Sequence, residues 1–174
     1  CGNSATRSQV ITVSDTSAPV FTTIPQDLTV ECDGSGNAAE LSAWLAGVAA
    51  TDNCGSVNIT DNFVSLSDLC GATGSATVTW TATDDCGNFV TTSATFTIVD
   101  TTAPSFTCPQ NISVSVDEGS DHATVTIAVP SFSEPCGTVT LVNDYTLDDD
   151  ASGSYQIGTN TVTYTATDAC DLTP

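Results

Sequence analysis

Apolar and polar residues alternate along much of the chain, which is the pattern of half-buried β-strands. The clearest run covers residues 76–83, where threonines separate Ala, Val, Trp and Ala side chains, and residues 161–166 repeat it. Gly, Asn, Asp and Pro fall between such runs, as turns require. Many short strands at this spacing predict an all-β protein of tandem immunoglobulin-like β-sandwich domains. Further strands are predicted at residues 9–13, 27–32, 57–61, 90–99, 111–116, 123–129 and 138–143.

One segment departs from this alternation. Apolar side chains recur at helical spacing from Leu41 to Val48, which predicts one short amphipathic helix over residues 38–48. Asn37 directly precedes it and is a candidate N-cap. We expect this helix to plug the core of the sandwich that contains it.

The chain also repeats itself. Cys-Gly-Asn at residue 1 leads to Asp-Thr-Ser-Ala-Pro at residue 15, and Cys-Gly-Asn at residue 86 leads to Asp-Thr-Thr-Ala-Pro at residue 100, so both landmarks are offset by 85 residues (86 − 1 and 100 − 15). A repeat of this length is a small domain. Residues 15–100 are therefore predicted to form a complete sandwich, and residues 101–174 a second sandwich without its last strand. Residues 1–14 are predicted to be the last strand of a preceding repeat, or of a neighbouring subunit's repeat.

Composition narrows the classes of partner. The chain has 1 Lys+Arg against 21 Asp+Glu, a formal net charge of −20, which excludes nucleic acid and anionic membrane surfaces as partners. No apolar run is long enough to predict direct membrane insertion. The chain has 8 cysteines, which in small domains indicate disulfides and an oxidising, extracellular location.

Several motifs resemble the hyalin repeat (HYR) family. They are the two Asp-Thr-x-Ala-Pro junctions, Phe-Thr-Cys-Pro-Gln-Asn-Ile at 106–112, Pro-Cys-Gly-Thr-Val at 135–139 and Gly-Thr-Asn-Thr-Val-Thr-Tyr-Thr-Ala-Thr-Asp at 158–168. The first repeat is similar to the version found in giant secreted proteins of Bacteroidetes, where such repeats lie on the bacterial surface. The resemblance implies an immunoglobulin-like sandwich and a role in extracellular adhesion or surface filaments, and it carries no catalytic residues.

The cysteines suggest a pairing within each repeat. Two of them in the first repeat have the sequence context of two in the second, with separations of 32 (86 − 54) and 34 (170 − 136). Another two occur only in the first repeat. The predicted disulfides are Cys54–Cys86, Cys136–Cys170 and Cys32–Cys70. In the HYR family the cysteine of the Thr-Cys-Pro element pairs with one near the start of the last strand. The resemblance thus implies that Cys108 bonds to Cys1 of a neighbouring unit, or that each pairs with a further cysteine of a continuous chain.

Candidate chemistry lies mainly in the carboxylates that recur with the repeat. Their oxygens are the ligands that Ca²⁺ prefers, and the alternative is that they bond their own backbone in turns. The predicted calcium ligands are Asp15, Asp84, Asp85, Asp100 and Asp168. Thr101 lies in Asp-Thr-Thr, which resembles the O-glycosylation signal of Bacteroidetes, so a glycan is predicted there.

No catalytic constellation is visible, and the chain is predicted not to be an enzyme. The single histidine, His122, is expected in an exposed turn, and no nucleophile or phosphate-loop motif occurs. The leading interpretation is a structural or adhesive repeat of a secreted filament or giant cell-surface adhesin, assembled head to tail by strand complementation and disulfides. Its partners would be copies of itself or adjacent repeats, with surface glycans or cells as further candidates. The alternative is a carbohydrate- or protein-binding accessory module of a secreted enzyme.

Overall fold

The computed structural model describes residues 1–116 and 118–172. Asp117, Thr173 and Pro174, which fall in the predicted second repeat, lie outside the described residues. In chain order the first elements are β1 (Val20–Thr23), β2 (Leu28–Glu31), α1 (Ala38–Ala46), β3 (Ala49–Thr51), β4 (Val57–Asp61), β5 (Gly74–Asp84) and β6 (Phe89–Val99). They are followed by β7 (Ser105–Thr107), β8 (His122–Val125), β9 (Ser131–Ser133), β10 (Thr140–Asn143), β11 (Gly153–Gln156) and β12 (Tyr164–Thr167).

The largest sheet has the strand order β2-β6-β5-β4. β5 and β6 are the long alternating runs, and their inward residues are fully buried, among them Trp80 at 1% and Phe96 at 0% exposure. β4 pairs with β5 antiparallel, with Val57 opposite Asp84. β2 pairs with β6 in parallel, with Leu28 opposite Phe96. The alternation therefore predicted these strands correctly, because one face of each is buried.

The remaining strands form antiparallel pairs of two. These pairs are β1 with β3, β7 with β9, β8 with β11 and β10 with β12. The described residues thus form an all-β structure with one short helix, which lies in the first full repeat, and this agrees with an immunoglobulin-like fold. His122 is the first residue of β8 rather than a turn residue, because its backbone pairs with Gln156 of β11.

The helix α1 is two residues shorter than predicted. Its apolar side chains are half buried rather than fully buried. Asn37 stands at the position of the N-cap, since its carbonyl accepts the Leu41 N–H at 2.9 Å. Its side chain, however, accepts the Asp33 N–H and donates to the Glu31 carbonyl, so it organises the loop before the helix rather than capping it.

Two predicted strands are not formed. Residues 9–13 and 111–116 have no strand structure, although both carry apolar residues at alternate positions. A strand needs a partner for its backbone N–H and C=O groups, and no described strand pairs with either segment. The predicted run 123–129 also ends early, at Val125.

The chain packs into two compact units. Unit 1 comprises Cys1–Asp27, Ser42–Val64 and Thr77–Thr95. Unit 2 comprises Leu28–Leu41, Ser65–Ala76 and the described residues from Phe96 onwards. These units do not follow the two sequence repeats, and the repeat boundaries at 15–100 and 101–174 stay a prediction.

Candidate functional site

Three carboxylates come together in unit 1. Asp15 precedes β1, Asp52 follows β3 and Asp84 ends β5, and one oxygen of each lies within 4.8 Å of the others. Two predicted calcium ligands, Asp15 and Asp84, are therefore neighbours. Asp52 is a third member that the sequence reasoning missed.

Asp84 is organised by the hairpin turn that follows it. It is 6% exposed, and its Oδ1 accepts the backbone N–H groups of Cys86 and Asn88, each at 2.8 Å. The Asn88 side-chain amide donates to Oδ2 at 2.8 Å. Desolvation acts to raise the pKa of Asp84, but these hydrogen bonds outweigh it and lower that pKa below its ordinary value. Asp84 is thus an anion at neutral pH.

Asp15 and Asp52 each use one oxygen in their own turn. Asp15 Oδ1 accepts the Ser17 N–H at 3.0 Å, and Asp52 Oδ1 accepts the Cys54 N–H at 2.8 Å. This is the turn-forming role that was the alternative to calcium binding. Asp15 Oδ2, however, is buried and has no hydrogen-bond partner among the described residues. Such an oxygen has lost its water without compensation, and a bound cation would supply that compensation.

Asp85 serves the neighbouring loop instead. The Ser56 N–H donates to Asp85 Oδ2 at 3.0 Å, and the Ser56 hydroxyl donates to Oδ1 at 2.9 Å. These hydrogen bonds lower the pKa of Asp85. A Cβ on Gly55 would lie 2.8 Å from Asp85 Oδ2, and Gly55 has a φ of +113°, so the loop requires glycine there. Asp85 is not one of the three clustered carboxylates.

A corresponding set of acids lies in unit 2. Asp100, Glu134 and Asp168 stand at the positions of the first cluster one repeat later. Ligand atoms of Asp100, Glu134 and Cys136 lie within 4.8 Å of one another, but Cys136 is in a disulfide and offers no thiolate. Asp168 is 6% exposed. Its Oδ2 and Glu134 Oε2 are buried without a hydrogen-bond partner in the described parts of the chain.

Sequence comparison of the repeats could have found the missed acids. Asp52 and Glu134 each stand two residues before a Cys-Gly pair, in Asp-Asn-Cys-Gly and Glu-Pro-Cys-Gly. Because those Cys-Gly pairs were matched between the repeats, the preceding acids were matched too. One of these acids is Asp and the other is Glu, so the two repeats share the charge at this position and not the residue.

Two disulfides in unit 2 correct the predicted pairing. Cys32 bonds to Cys136 and Cys70 bonds to Cys170, with Cα–Cα distances of 5.8 Å and 5.1 Å. The predicted Cys32–Cys70 and Cys136–Cys170 bonds are therefore wrong. The prediction assumed that each cysteine pairs with another cysteine of its own repeat. In the structure, two loops of the first repeat meet two loops of the second.

Glycines allow these loops to approach closely. A Cβ on Gly34 would lie 2.3 Å from the Pro135 carbonyl oxygen, and one on Gly71 would lie 2.0 Å from that of Cys136. Both glycines have positive φ, +74° and +57°. The Ala72 N–H donates to the Cys136 carbonyl at 3.0 Å. Direct backbone contact thus brings the four cysteines within bonding range.

The other four cysteines, Cys1, Cys54, Cys86 and Cys108, are exposed and free. The Cys54–Cys86 bond is not formed in the structure, and like the bond from Cys108 to Cys1 of a neighbour it stays a prediction. Desolvation by surrounding protein atoms, followed by the charges of nearby aspartates, raises the pKa of the Cys86 thiol, and Cys54 adds to this shift.

The junction after β6 is held by Glu31. The Thr101 N–H and hydroxyl donate to its two carboxylate oxygens at 2.8 Å each, and the Thr102 hydroxyl donates at 3.0 Å. The hydrogen bonds from Thr101 come first among the causes that lower the pKa of Glu31. The Thr101 hydroxyl, predicted to carry a glycan, is thus a hydrogen-bond donor here, and its glycosylation stays a prediction.

These features define a class of protein: an all-β, immunoglobulin-like repeat module with disulfides and acidic turns that recur along the chain. Residues 99–173 match the HYR domain family. The chain is also 32% identical over 175 residues to hyalin of Strongylocentrotus purpuratus, an alignment that covers 91% of this chain and 14% of hyalin. The chain therefore belongs to the hyalin repeat family. A Bacteroidetes origin stays a prediction.

Family membership indicates an adhesion-type repeat module of an extracellular or surface protein, rather than an enzyme. The disulfides agree with an oxidising compartment. Across residues 1–116 and 118–172, no helix has the length and apolarity needed to span a bilayer. The chain spans only 14% of hyalin's length.

Proposed function

We propose that this chain is a structural repeat unit of an extracellular filament or surface adhesin, in which units follow one another head to tail. The observation that carries the proposal is the cross-linking within unit 2. Cys32–Cys136 and Cys70–Cys170 join loops of the first sequence repeat to loops of the second. Two disulfide bonds between successive repeats resist the separation of those repeats.

The junction itself supports this function. Glu31 accepts three hydrogen bonds from Thr101 and Thr102, and Pro104 restricts the backbone just beyond them. The Asp-Thr-Thr-Ala-Pro segment is therefore held as a defined connection. A defined connection suits a fibre, whereas a freely jointed array would need a flexible linker.

Electron microscopy of the native material tests this proposal. We expect linear assemblies, and we expect them to bend more or fragment after reduction of the disulfides. Isolated particles, in both oxidising and reducing buffer, would contradict a structural filament.

We further propose that the acidic clusters bind Ca²⁺. The first site would use Asp15, Asp52 and Asp84, whose oxygens lie within 4.8 Å of one another. Like charges held this close are costly in a chain of net charge −20, and a hard cation with oxygen ligands would offset that repulsion. The second site would use Asp100, Glu134 and Asp168.

Thermal unfolding with and without a chelator tests the calcium proposal. At a calcium concentration of about 100 times Kd, we expect the melting temperature to rise by about 5–10 °C. Replacing two ligands of the first site, Asp15→Asn with Asp52→Asn, should remove the part of this shift that the first site contributes. A control with the same change in charge, Asp68→Asn with Asp149→Asn, should keep it because both residues are exposed. A wild-type protein that melts identically with calcium and with chelator would rule the sites out.

The alternative, a glycan-binding module, gains no support from the tryptophans. Trp80 is buried and donates its Nε1–H to the Leu45 carbonyl at 3.2 Å. Trp44 packs against it edge to face, with ring centroids 4.9 Å apart, and donates to the Gln26 carbonyl. Both rings stabilise the fold and do not form an open aromatic platform.

A further inference from the structure

Asparagine side chains take two kinds of place in this structure. Several of them hold loops together through hydrogen bonds, namely those of Asn37, Asn62, Asn88, Asn143 and Asn160. Asn58 belongs to the other kind. It is exposed, and its side chain has no hydrogen-bond partner among the residues that the structure describes. The Asn58 amide is therefore available to a group from outside the chain.

The sequence after Asn58 adds a second, independent observation. Asn-Ile-Thr at residues 58–60 places a threonine hydroxyl two residues after the amide. This is the acceptor pattern for N-glycosylation, in which the transferring enzyme recognises the asparagine together with the hydroxyl. The sequence pattern and the free side chain thus select the same residue.

The same pattern occurs once more, as Asn-Ile-Ser at residues 111–113. Asn111 stands at the position of Asp27, one repeat later (offset 111 − 27 = 84). The Asp27 side chain accepts the Thr95 N–H at 2.8 Å. A structural role at this position competes with a glycan, so the inference is confined to Asn58.

The backbone of β4 directs the acceptor pattern away from the core. Successive side chains of a strand point to opposite faces. Val57 and Ile59 are half buried, whereas Asn58 and Thr60 are exposed. The amide and the hydroxyl therefore project from the same outer face, and a glycan at Asn58 would displace no packed side chain.

The surface beside Asn58 is rich in hydroxyl groups. Asn58 lies opposite Thr83, and Thr60 lies opposite Thr81. The outward positions of β5 from residue 77 to residue 83 are all threonine, so no charged side chain of that stretch stands beside the amide. In a chain of net charge −20, this is an uncharged surface whose hydroxyl groups can donate to and accept from a carbohydrate.

We propose that Asn58 is an N-glycosylation site, which takes an oligosaccharide from a lipid diphosphate donor. The Asn58 side-chain nitrogen bonds to the anomeric carbon of the sugar, and the bond from that carbon to the diphosphate oxygen breaks. The diphosphate leaves with the electron pair, and a base of the transferring enzyme takes one amide proton. This inference goes beyond the proposed filament function, since it requires only passage through a secretory compartment.

A glycan at this position protects a sheet edge. β4 ends the strand order β2-β6-β5-β4, so within this sheet it has a paired neighbour on one side only. Such an edge can pair with a strand of another molecule, and a bulky hydrated glycan on Asn58 hinders that approach. Enzymatic removal of the glycan should therefore raise the light scattering of the protein above that of a mock-treated sample. Equal scattering would overturn this protective role.

Mass spectrometry of the full chain, secreted from animal cells, tests the glycosylation itself. Cleavage before aspartates places Asn58 in the peptide of residues 52–60. Peptide-N-glycosidase releases the glycan and converts its asparagine to aspartate, so treatment in heavy-oxygen water marks the modified position. We expect the label on Asn58. A 52–60 peptide that carries neither glycan nor label would overturn the proposal.

Matched variants make the assignment specific. Thr60→Val removes the hydroxyl but keeps the branched shape of the side chain, so it should lose the glycan, whereas Thr60→Ser should keep it. Asn53→Gln, which changes an exposed asparagine outside the pattern, should also keep it. A glycan that persists on the 52–60 peptide of Thr60→Val would overturn recognition through the hydroxyl. Loss of the proposal would leave the filament function standing, because microscopy of the native material decides that function separately.

Discussion

The two sequence repeats differ most between β2 and residues 112–115, which correspond to it at an offset of 84 (112 − 28). In the first repeat, β6 is paired on both sides, and Phe96 and Ile98 are fully buried. In the second, the segment that corresponds to β2 has no strand structure, and its apolar residues Ile112 and Val114 are about half exposed. The same alternating pattern thus gives a strand in one repeat and an irregular segment in the other. The alternation of apolar and polar residues therefore indicates which face a strand would bury. Backbone pairing with a neighbouring strand decides whether the strand forms.

The sharpest test of this comparison replaces one apolar residue in this region of each repeat. Phe96→Ala removes a fully buried ring and should lower the free energy of unfolding by about 3–5 kcal/mol. Ile112→Ala, in the unpaired segment of the second repeat, should cost no more than about 1 kcal/mol in the isolated monomer. Chemical denaturation at low protein concentration measures both. Similar losses in the two variants would contradict the difference between the repeats.

A second test removes one of the two disulfides that join the first repeat to the second. Cys70 and Cys170 are 100 residues apart in sequence, and a cross-link over such a distance restricts the unfolded chain strongly. Replacing both with serine should cost about 2–4 kcal/mol, since the Cys32–Cys136 bond still limits the released loop.

The control for this variant is Cys1→Ser with Cys108→Ser. Both residues are exposed and free, so the stability of the dilute monomer should change by less than about 0.5 kcal/mol. If the Cys70 and Cys170 variant were as stable as this control, the two residues would not be bonded in the native protein.

The smallest expected effect concerns the acid dependence of the junction. The folded-state pKa of Glu31 is lowered from 4.5 by its hydrogen bonds to Thr101 and Thr102. A lowered folded pKa means that the contribution to stability is present above the ordinary pKa and is lost as the pH falls through the folded value. The corresponding position in the second repeat is Ser115, so this dependence belongs to the first repeat.

Melting temperatures of the wild type and Glu31→Gln between pH 7 and pH 3 measure this effect. The variant should be less stable at pH 7, and the difference should shrink as the pH falls below about 4.5. Protonation also relieves the repulsion among the other carboxylates, but this acts on both proteins. Glu40→Gln, at an exposed helix position, should follow the wild type throughout. Parallel curves for Glu31→Gln and the wild type would mean that the carboxylate does not stabilise the junction.

Part of the candidate site could be predicted from the sequence. Asp15 and Asp84 were expected to lie together because they recur with the repeat, and they do. Asp85, adjacent to Asp84, faces Ser56 instead. Successive residues at the end of a strand point in different directions, so a run of acids does not show which member faces the cluster.

The sequence by itself determined the local structure of this protein. Alternation and β-branched residues specified β4, β5 and β6, helical spacing specified α1, and the recurring motifs identified the family. Those signals are local, because each depends on the conformational preferences and apolar face of a single segment. The disulfide partners and the meeting of Asp52 with Asp15 and Asp84 were decided only by the tertiary structure. Each of these depends on which distant segments come into contact, and contact between loops such as those around Gly71 and Cys136 follows from the packing of the whole unit.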